Sequence, residues 1–133
     1  MKIGEVVSKV KSLNLPKGSY IVYGSGPLAA VGIREANDID MLVSSHLYKQ
    51  LKESGWKKRL QGPKDEPLVF DVFEAHENWD FSEYSPTLED LLSRSFEVDG
   101  VPFASIKDVR KWKSTHSHPK ASQDLALMDA YLI

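Results

Sequence analysis

The sequence predicts a mixed α/β or α+β fold, with a small mixed sheet flanked by helices and with further helices at the C-terminus. Apolar residues recur at helical spacing over the first 13 positions, and strand-like runs follow at Tyr20–Tyr23 and Asp38–Val43. Further strand and helix patterns are interspersed along the rest of the chain. The length of 133 residues, without an internal repeat or a linker, predicts one domain over residues 1–133.

The first third of the chain alternates helical and strand patterns. Apolar residues spaced by three and four predict a helix over 3–13, and the β-branched and aromatic run Tyr20–Tyr23 predicts a buried strand. Gly24-Ser25-Gly26-Pro27 breaks this strand. Leu28–Val31 is expected to form a short helix with Pro27 at its first position, and Asp38–Val43 a second strand.

The middle of the chain predicts one helix and two strands. Ser45 is expected to cap a helix that ends at Gly55, and a short strand is predicted over 56–60. The apolar run Leu68–Phe73 predicts the strongest strand of the chain, with Asp71 in its middle.

The last third predicts three helices and a hairpin. Thr87 is expected to cap a short helix, and Asp99-Gly100 is a strong signal for a tight turn between two strands. Ser105, with Asp108 three residues later, predicts the start of another helix. Pro119 opens the final helix.

The composition excludes several classes of protein. The chain has no cysteine, which excludes disulfide frameworks, thiolate zinc sites and cysteine nucleophiles. No apolar run approaches the roughly 20 residues that span a bilayer, so we expect a cytoplasmic protein with no membrane partner. Residues 65–106 carry one basic and 11 acidic side chains, which argues against a uniformly basic nucleic-acid surface.

One segment has a pattern of acidic and glycine residues that is typical of a ligand-binding site. Asp38 and Asp40 are two positions apart on a predicted strand, so they share a face, and their charges repel unless a cation lies between them. The preceding Gly24-Ser25-Gly26 turn offers backbone N–H groups at a helix start, as anion sites do. A phosphate site beside two carboxylates suits a magnesium-bound nucleoside triphosphate. The alternative interpretation is that Asp38-Ile39-Asp40 is a turn signal.

Asp71 is the third carboxylate of interest. A charged residue inside an apolar strand is costly without a partner. If its strand lies beside the Asp38 strand, Asp71 supplies a third metal ligand or a base for an incoming hydroxyl. Otherwise Asp71 is an exposed residue of an edge strand.

Together these elements resemble the nucleotidyltransferase superfamily, and in particular its small stand-alone bacterial and archaeal members. The resemblance consists of the Gly24-Ser25 turn, the acidic pair in Asp38–Val43 and a third carboxylate in Val69–Val72. Gly32-Ile33-Arg34 is similar to a Gly-Leu-Arg element of that subgroup. The segment from Val101 to Leu127 is similar to its C-terminal signature.

The resemblance implies an enzyme that transfers a nucleoside monophosphate from a nucleoside triphosphate, with ATP as the expected nucleotide, to a hydroxyl group. Asp38, Asp40 and Asp71 would hold Mg²⁺ or Mn²⁺ and carry catalysis. The residues expected to contact the phosphates are Gly24, Ser25, Gly26, Arg34, Lys113 and Lys120.

The acceptor stays open among a small molecule, a protein side chain and an RNA end. Because the chain is short, we expect a homodimer or a separate partner protein to complete the acceptor site. A second hypothesis is a non-catalytic binding or regulatory protein of the same fold, such as one half of a toxin–antitoxin-like pair. A third is an unrelated α/β module that binds neither magnesium nor nucleotide.

Overall fold

A computed structural model describes residues 1–59, 66–77, 85–115 and 119–133 of the chain. Its strands are β1 (Tyr20–Tyr23), β2 (Ile39–Val43), β3 (Lys57–Lys58), β4 (Leu68–Phe70), β5 (Phe73–His76), β6 (Phe96–Val98) and β7 (Val101–Phe103). Its helices are α1 (Ile3–Ser12), α2 (Ser25–Ala30), α3 (Ser45–Glu53), α4 (Leu88–Ser93), α5 (Ile106–Ser114) and α6 (Pro119–Leu132). No helix within these ranges has both the length and the apolar character needed to cross a membrane.

All of these strands belong to one mixed sheet with the order β3-β4-β5-β2-β1-β7-β6. β1 pairs antiparallel with β2, which in turn pairs parallel with β5. The carboxyl end of β1 therefore lies beside the amino ends of β2 and β5. In this register Tyr23 is opposite Asp40, and Asp40 is opposite Glu74.

The two faces of the sheet are covered by different helices. On one face, Val10 of α1 and Leu51 of α3 belong to the same apolar cluster as Val22 and Met41 of the central strands. On the other face, residues of α4, α5 and α6 pack on β1 and β2; they include Leu91, Val109 and Met128 against Ile21 and Leu42. Alternation along each strand thus divides its side chains between two cores.

Several predicted starts and turns are confirmed. Thr87 caps α4 in a capping box with Asp90, and the Ser105 hydroxyl accepts a hydrogen bond from the backbone N–H of Asp108 at the start of α5. Asp99 and Gly100, with φ of 51° and 83°, form the tight turn between β6 and β7. Short polar residues and glycine tolerate these conformations, which is why the sequence signal was strong.

Other boundaries differ from the predictions. α2 begins at Ser25, two residues before its expected first position, so Pro27 is its third residue and not its first. Proline still fits there, because N–H groups in the first turn have no partner within a helix. Ser44, and not Ser45, caps α3 by accepting a hydrogen bond from Leu47. The predicted strand over 56–60 pairs only at Lys57–Lys58, and residue 60 lies outside the described residues.

The prediction of one strand over Leu68–Phe73 is wrong. The run forms two antiparallel strands, β4 and β5, with Phe70 opposite Phe73 and a two-residue turn between them. Asp71 adopts φ of 52° in this turn, a conformation that aspartate tolerates better than most residues. Its side chain is 54% exposed and lies 3.5 Å from Lys9, so it is a solvated turn residue.

Gly26 allows α2 to lie directly on the sheet. A Cβ atom at this position would lie 2.5 Å from Cγ1 of Val22 and 3.6 Å from the Phe103 ring. We expect Gly26→Ala to lower the free energy of unfolding by about 1–3 kcal/mol, because the β-branched Val22 side chain cannot move aside easily. Urea denaturation measures this change.

Gly4→Ala is the matched control. Gly4 lies in α1 with open space around it, so the same added methyl group is expected to stabilise the protein by about 0.5–1 kcal/mol. Equal effects of the two substitutions would contradict the close packing of α2.

Candidate functional site

Acidic side chains of β2 and β5 converge where β1 ends. Asp40 lies in β2 between Tyr23 of β1 and Glu74 of β5. Asp38 directly precedes β2, and its charge acts on Asp40. The structure therefore brings Asp38 and Asp40 together, as the sequence predicted, and adds Glu74 as their carboxylate neighbour.

Gly24 makes the space into which Asp40 projects. Its φ of 72° favours glycine, and a Cβ atom here would overlap Oδ2 of Asp40. Ser25 follows as the first residue of α2; it is buried, and its hydroxyl donates a long 3.4 Å hydrogen bond to the Asp38 carbonyl. The predicted Gly-Ser turn thus lies directly against both aspartates.

Glu74 is held by two basic side chains. Oε1 of Glu74 lies 3.0 Å from Nε2 of His76 and 2.6 Å from a guanidinium nitrogen of Arg59. One potential ligand atom from each of Asp40, Glu74 and His76 lies within 4.8 Å of the others. This triplet offers oxygen and nitrogen donors in one small volume, which suits a divalent cation.

The carboxylates differ strongly in their affinity for protons. Burial, together with the charges of Asp38 and Glu74, raises the pKa of Asp40 to about 7. Burial and Glu74 also raise the pKa of Asp38, against the opposing charges of Lys113 and other basic groups. The hydrogen bond from His76 lowers the pKa of Glu74. An added positive charge beside Asp40 would reduce the repulsion between Asp40 and the carboxylates of Asp38 and Glu74.

Two cations face this acidic site and share one buried anchor. Asp124 of α6 is 5% exposed at its side chain; its oxygens lie 2.9 Å from Nε of Arg34 and 2.8 Å from Nζ of Lys113. The charges of Arg34 and Lys113 both act on Asp38. The two predicted phosphate contacts are therefore neighbours of the carboxylates, although they come from opposite halves of the chain.

The other predicted site residues lie elsewhere or are not described. Gly26 packs against Val22 and Phe103 under α2, so its observed contacts are those of packing. Asp71 lies in the β4–β5 turn with Lys9, away from the triplet that its neighbour Glu74 joins. Its predicted roles as metal ligand and base do not follow from this placement. The side chain of Lys120 lies outside the described part of the chain.

Sequence reasoning assigned no site role to Glu74, His76 or Asp124. Glu74 and His76 alternate with the buried Phe73 and Ala75, a period of two that places both polar side chains on one face of a strand. This signal was present, but the strand was expected to end at Phe73. Asp124 lies in the segment that resembles the C-terminal signature, but its role could not be assigned, since its cationic partners are distant in sequence.

Comparison with known proteins supports the fold. No protein-family model matches the sequence, and no curated protein matches it. The structure is similar to the crystal structure of ANT(2'')-Ia, an aminoglycoside nucleotidyltransferase, in complex with adenylyl-2''-tobramycin, with a TM-score of 0.58 and 14% identity. The match covers 98% of this chain and 87% of that chain. The predicted α+β, nucleotidyltransferase-like fold is thus confirmed.

The raised pKa of Asp40 predicts a pH-dependent stability of the metal-free protein. A carboxyl group whose pKa is higher in the folded state stabilises the fold at low pH, and this contribution disappears as the pH rises from about 4 through 7. Asp40→Asn is therefore expected to unfold at nearly the wild-type urea concentration at pH 4.5. At pH 8, in EDTA, it should be more stable than wild type by about 2–4 kcal/mol. A difference that stays constant with pH would contradict this.

The shared anchor predicts a large effect of Asp124→Asn. Loss of its charge leaves Arg34 and Lys113, both mostly buried, without their counter-ion, so the free energy of unfolding should fall by about 2–4 kcal/mol. Asp129→Asn is the control, because it breaks the exposed pair of the same helix with Arg110. Its Tm is expected to stay close to the wild-type value. Equal losses for both variants would contradict the anchoring role.

Proposed function

We propose that the protein transfers a nucleoside monophosphate from a nucleoside triphosphate to a hydroxyl group, with a divalent cation as cofactor. The observation that carries this proposal is the meeting of Asp38, Asp40 and Glu74 beside Gly24, with Arg34 and Lys113 facing them. Adjacent carboxylates and cations are what a metal–triphosphate complex requires. The similarity of the fold to a nucleotidyltransferase is consistent with this chemistry.

The residues present fit a divalent cation. Burial, together with the charges of Asp38 and Glu74, raises the pKa of Asp40 to about 7. Gly24 has no side chain that would fill the space next to Oδ2 of Asp40. Asp38, Asp40 and Glu74 would hold the ion. Such an ion, when bound, stabilises negative charge on the attacking and leaving oxygens of a phosphoryl group.

The protein's own side chains orient the nucleotide. Arg34 and Lys113 donate hydrogen bonds to phosphate oxygens, and their anchoring to Asp124 fixes their direction before the nucleotide binds. The Ser25 hydroxyl, now in only a long hydrogen bond, is a further donor. Glu74 takes the place in the ligand set that the sequence suggested for Asp71. Lys120 stays a predicted phosphate contact.

The acceptor class and the assembly stay predictions. The structural neighbour was crystallised with adenylyl-2''-tobramycin, so an aminoglycoside is one acceptor to test, beside proteins and RNA ends. ATP is the first nucleotide to test, and Mg²⁺ and Mn²⁺ the first ions. A homodimer or a partner protein that completes the acceptor site remains part of the proposal.

A transfer assay with α-³²P-labelled nucleotides tests this function. The protein is incubated with each nucleoside triphosphate, Mg²⁺ or Mn²⁺ and a panel of acceptors, and labelled product and pyrophosphate are measured. Glu74→Gln is expected to reduce the rate by at least about 100-fold, because metal stabilisation of charge contributes several kcal/mol. Asp71→Asn, in the exposed turn between β4 and β5, is the matched control and is expected to retain the rate.

Nucleotide binding is measured separately, without an acceptor. A nucleotide at 100 times its Kd should stabilise the wild-type protein by about 2.7 kcal/mol in the presence of the ion. Binding without transfer to any acceptor would favour the non-catalytic, regulatory hypothesis. Loss of activity in Asp71→Asn with retention in Glu74→Gln would contradict the assigned ligand set.

A further inference from the structure

His76 adds a nitrogen donor to a site otherwise made of oxygen ligands. It follows Glu74 by two residues in β5, so both side chains emerge on the same face of the strand, and Leu42 lies opposite it in β2. Its Nε2 atom lies 3.0 Å from Oε1 of Glu74. A ligand atom of Asp40 lies within 4.8 Å of both groups.

The distance between His76 and Glu74 matches the spacing of two ligands of one ion. Adjacent ligands in octahedral coordination, with bonds of about 2.1 Å at right angles, lie about 3.0 Å apart. The two donor atoms already have this separation in their hydrogen bond. An ion that binds between them would replace this hydrogen bond, and the contact of Arg59 with the same Glu74 oxygen, by coordination.

The position of the imidazole is fixed by aromatic packing. The His76 side chain is only 13% exposed, and its ring meets the edge or face of Tyr23 at a centroid distance of 6.0 Å. Tyr23 is in turn packed at 5.1 Å against Trp112 of α5. A mostly buried ring packed against Tyr23 loses little rotamer freedom when it binds a ligand, which favours coordination over an incidental surface contact.

We propose that His76 is a metal ligand, and that it makes the site prefer a first-row transition-metal dication over Mg²⁺. Imidazole nitrogen suits ions such as Co²⁺ and Zn²⁺, and Mn²⁺ accepts mixed nitrogen and oxygen ligands, whereas Mg²⁺ favours oxygen. The inference rests on the proposed function for the presence of an ion at Asp40 and Glu74. To the three carboxylate ligands of the proposed function it adds His76 as a fourth ligand, and it names the class of ion that the site prefers.

Electron spin echo spectroscopy of the Mn²⁺-loaded protein tests coordination directly. Wild-type protein is expected to show ¹⁴N modulation from a bound imidazole, and protein labelled with [¹⁵N]histidine should lose that ¹⁴N signal without any change of sequence. His76→Gln should lose it as well. A triple variant in which His46, His116 and His118 become Gln should keep it, because these are the other histidines of the chain.

Metal titration measures which ions the site prefers. His76→Gln is expected to weaken Co²⁺ and Zn²⁺ binding by at least about tenfold while changing Mg²⁺ affinity by less than about threefold. Binding of Mn²⁺ without ¹⁴N modulation would overturn the His76 inference and leave the proposed carboxylate site intact. Modulation that persists in His76→Gln would also overturn it. Failure of every ion to bind would contradict both the inference and the proposed function.

Discussion

The crowding of buried carboxylates at the end of β1 is the constraint on which the rest of the structure depends. Burial and the charges of Asp38 and Glu74 raise the pKa of Asp40 to about 7, so ionising Asp40 there is costly. The positive charges that oppose the repulsion among these carboxylates come from Arg34 after α2, Arg59 after β3 and Lys113 in α5. These three segments are distant in sequence, so the acidic site is compensated only when the whole fold has assembled.

The fold also requires that other groups approach the backbone closely at two positions, and both positions are occupied by glycine. Gly24 leaves space for the Asp40 carboxylate, while Gly26 lets α2 lie on Val22 and Phe103. One short sequence, Gly-Ser-Gly, therefore serves both the site and the core. This explains why the segment stood out in the sequence. The packing role of Gly26 could not be predicted from the sequence, because it depends on contacts with Val22 and Phe103.

Local signals predicted most of the elements and two of the three carboxylates of the cluster, Asp38 and Asp40. The Thr87 cap and the Asp99-Gly100 turn depend on near neighbours, and both were predicted correctly. The placement of Asp71 inside one continuous strand was wrong because an apolar run can form one strand or a hairpin, and a single residue in the left-handed region decides between them. That turn shifts the alternation of the chain and brings Glu74, rather than Asp71, beside Asp40.

Asp124 shows why the C-terminal helix belongs to the site although it supplies none of the proposed metal ligands. A cation that only balanced Asp38 or Asp40 would lose its partner once a metal ion neutralised those carboxylates. Arg34 and Lys113 instead keep a buried counter-ion of their own in α6. They can therefore hold the same positions before and after an ion binds. Such preorganisation lowers the entropic cost of contacting a phosphate, and it requires the long-range contact between residues 34 and 124.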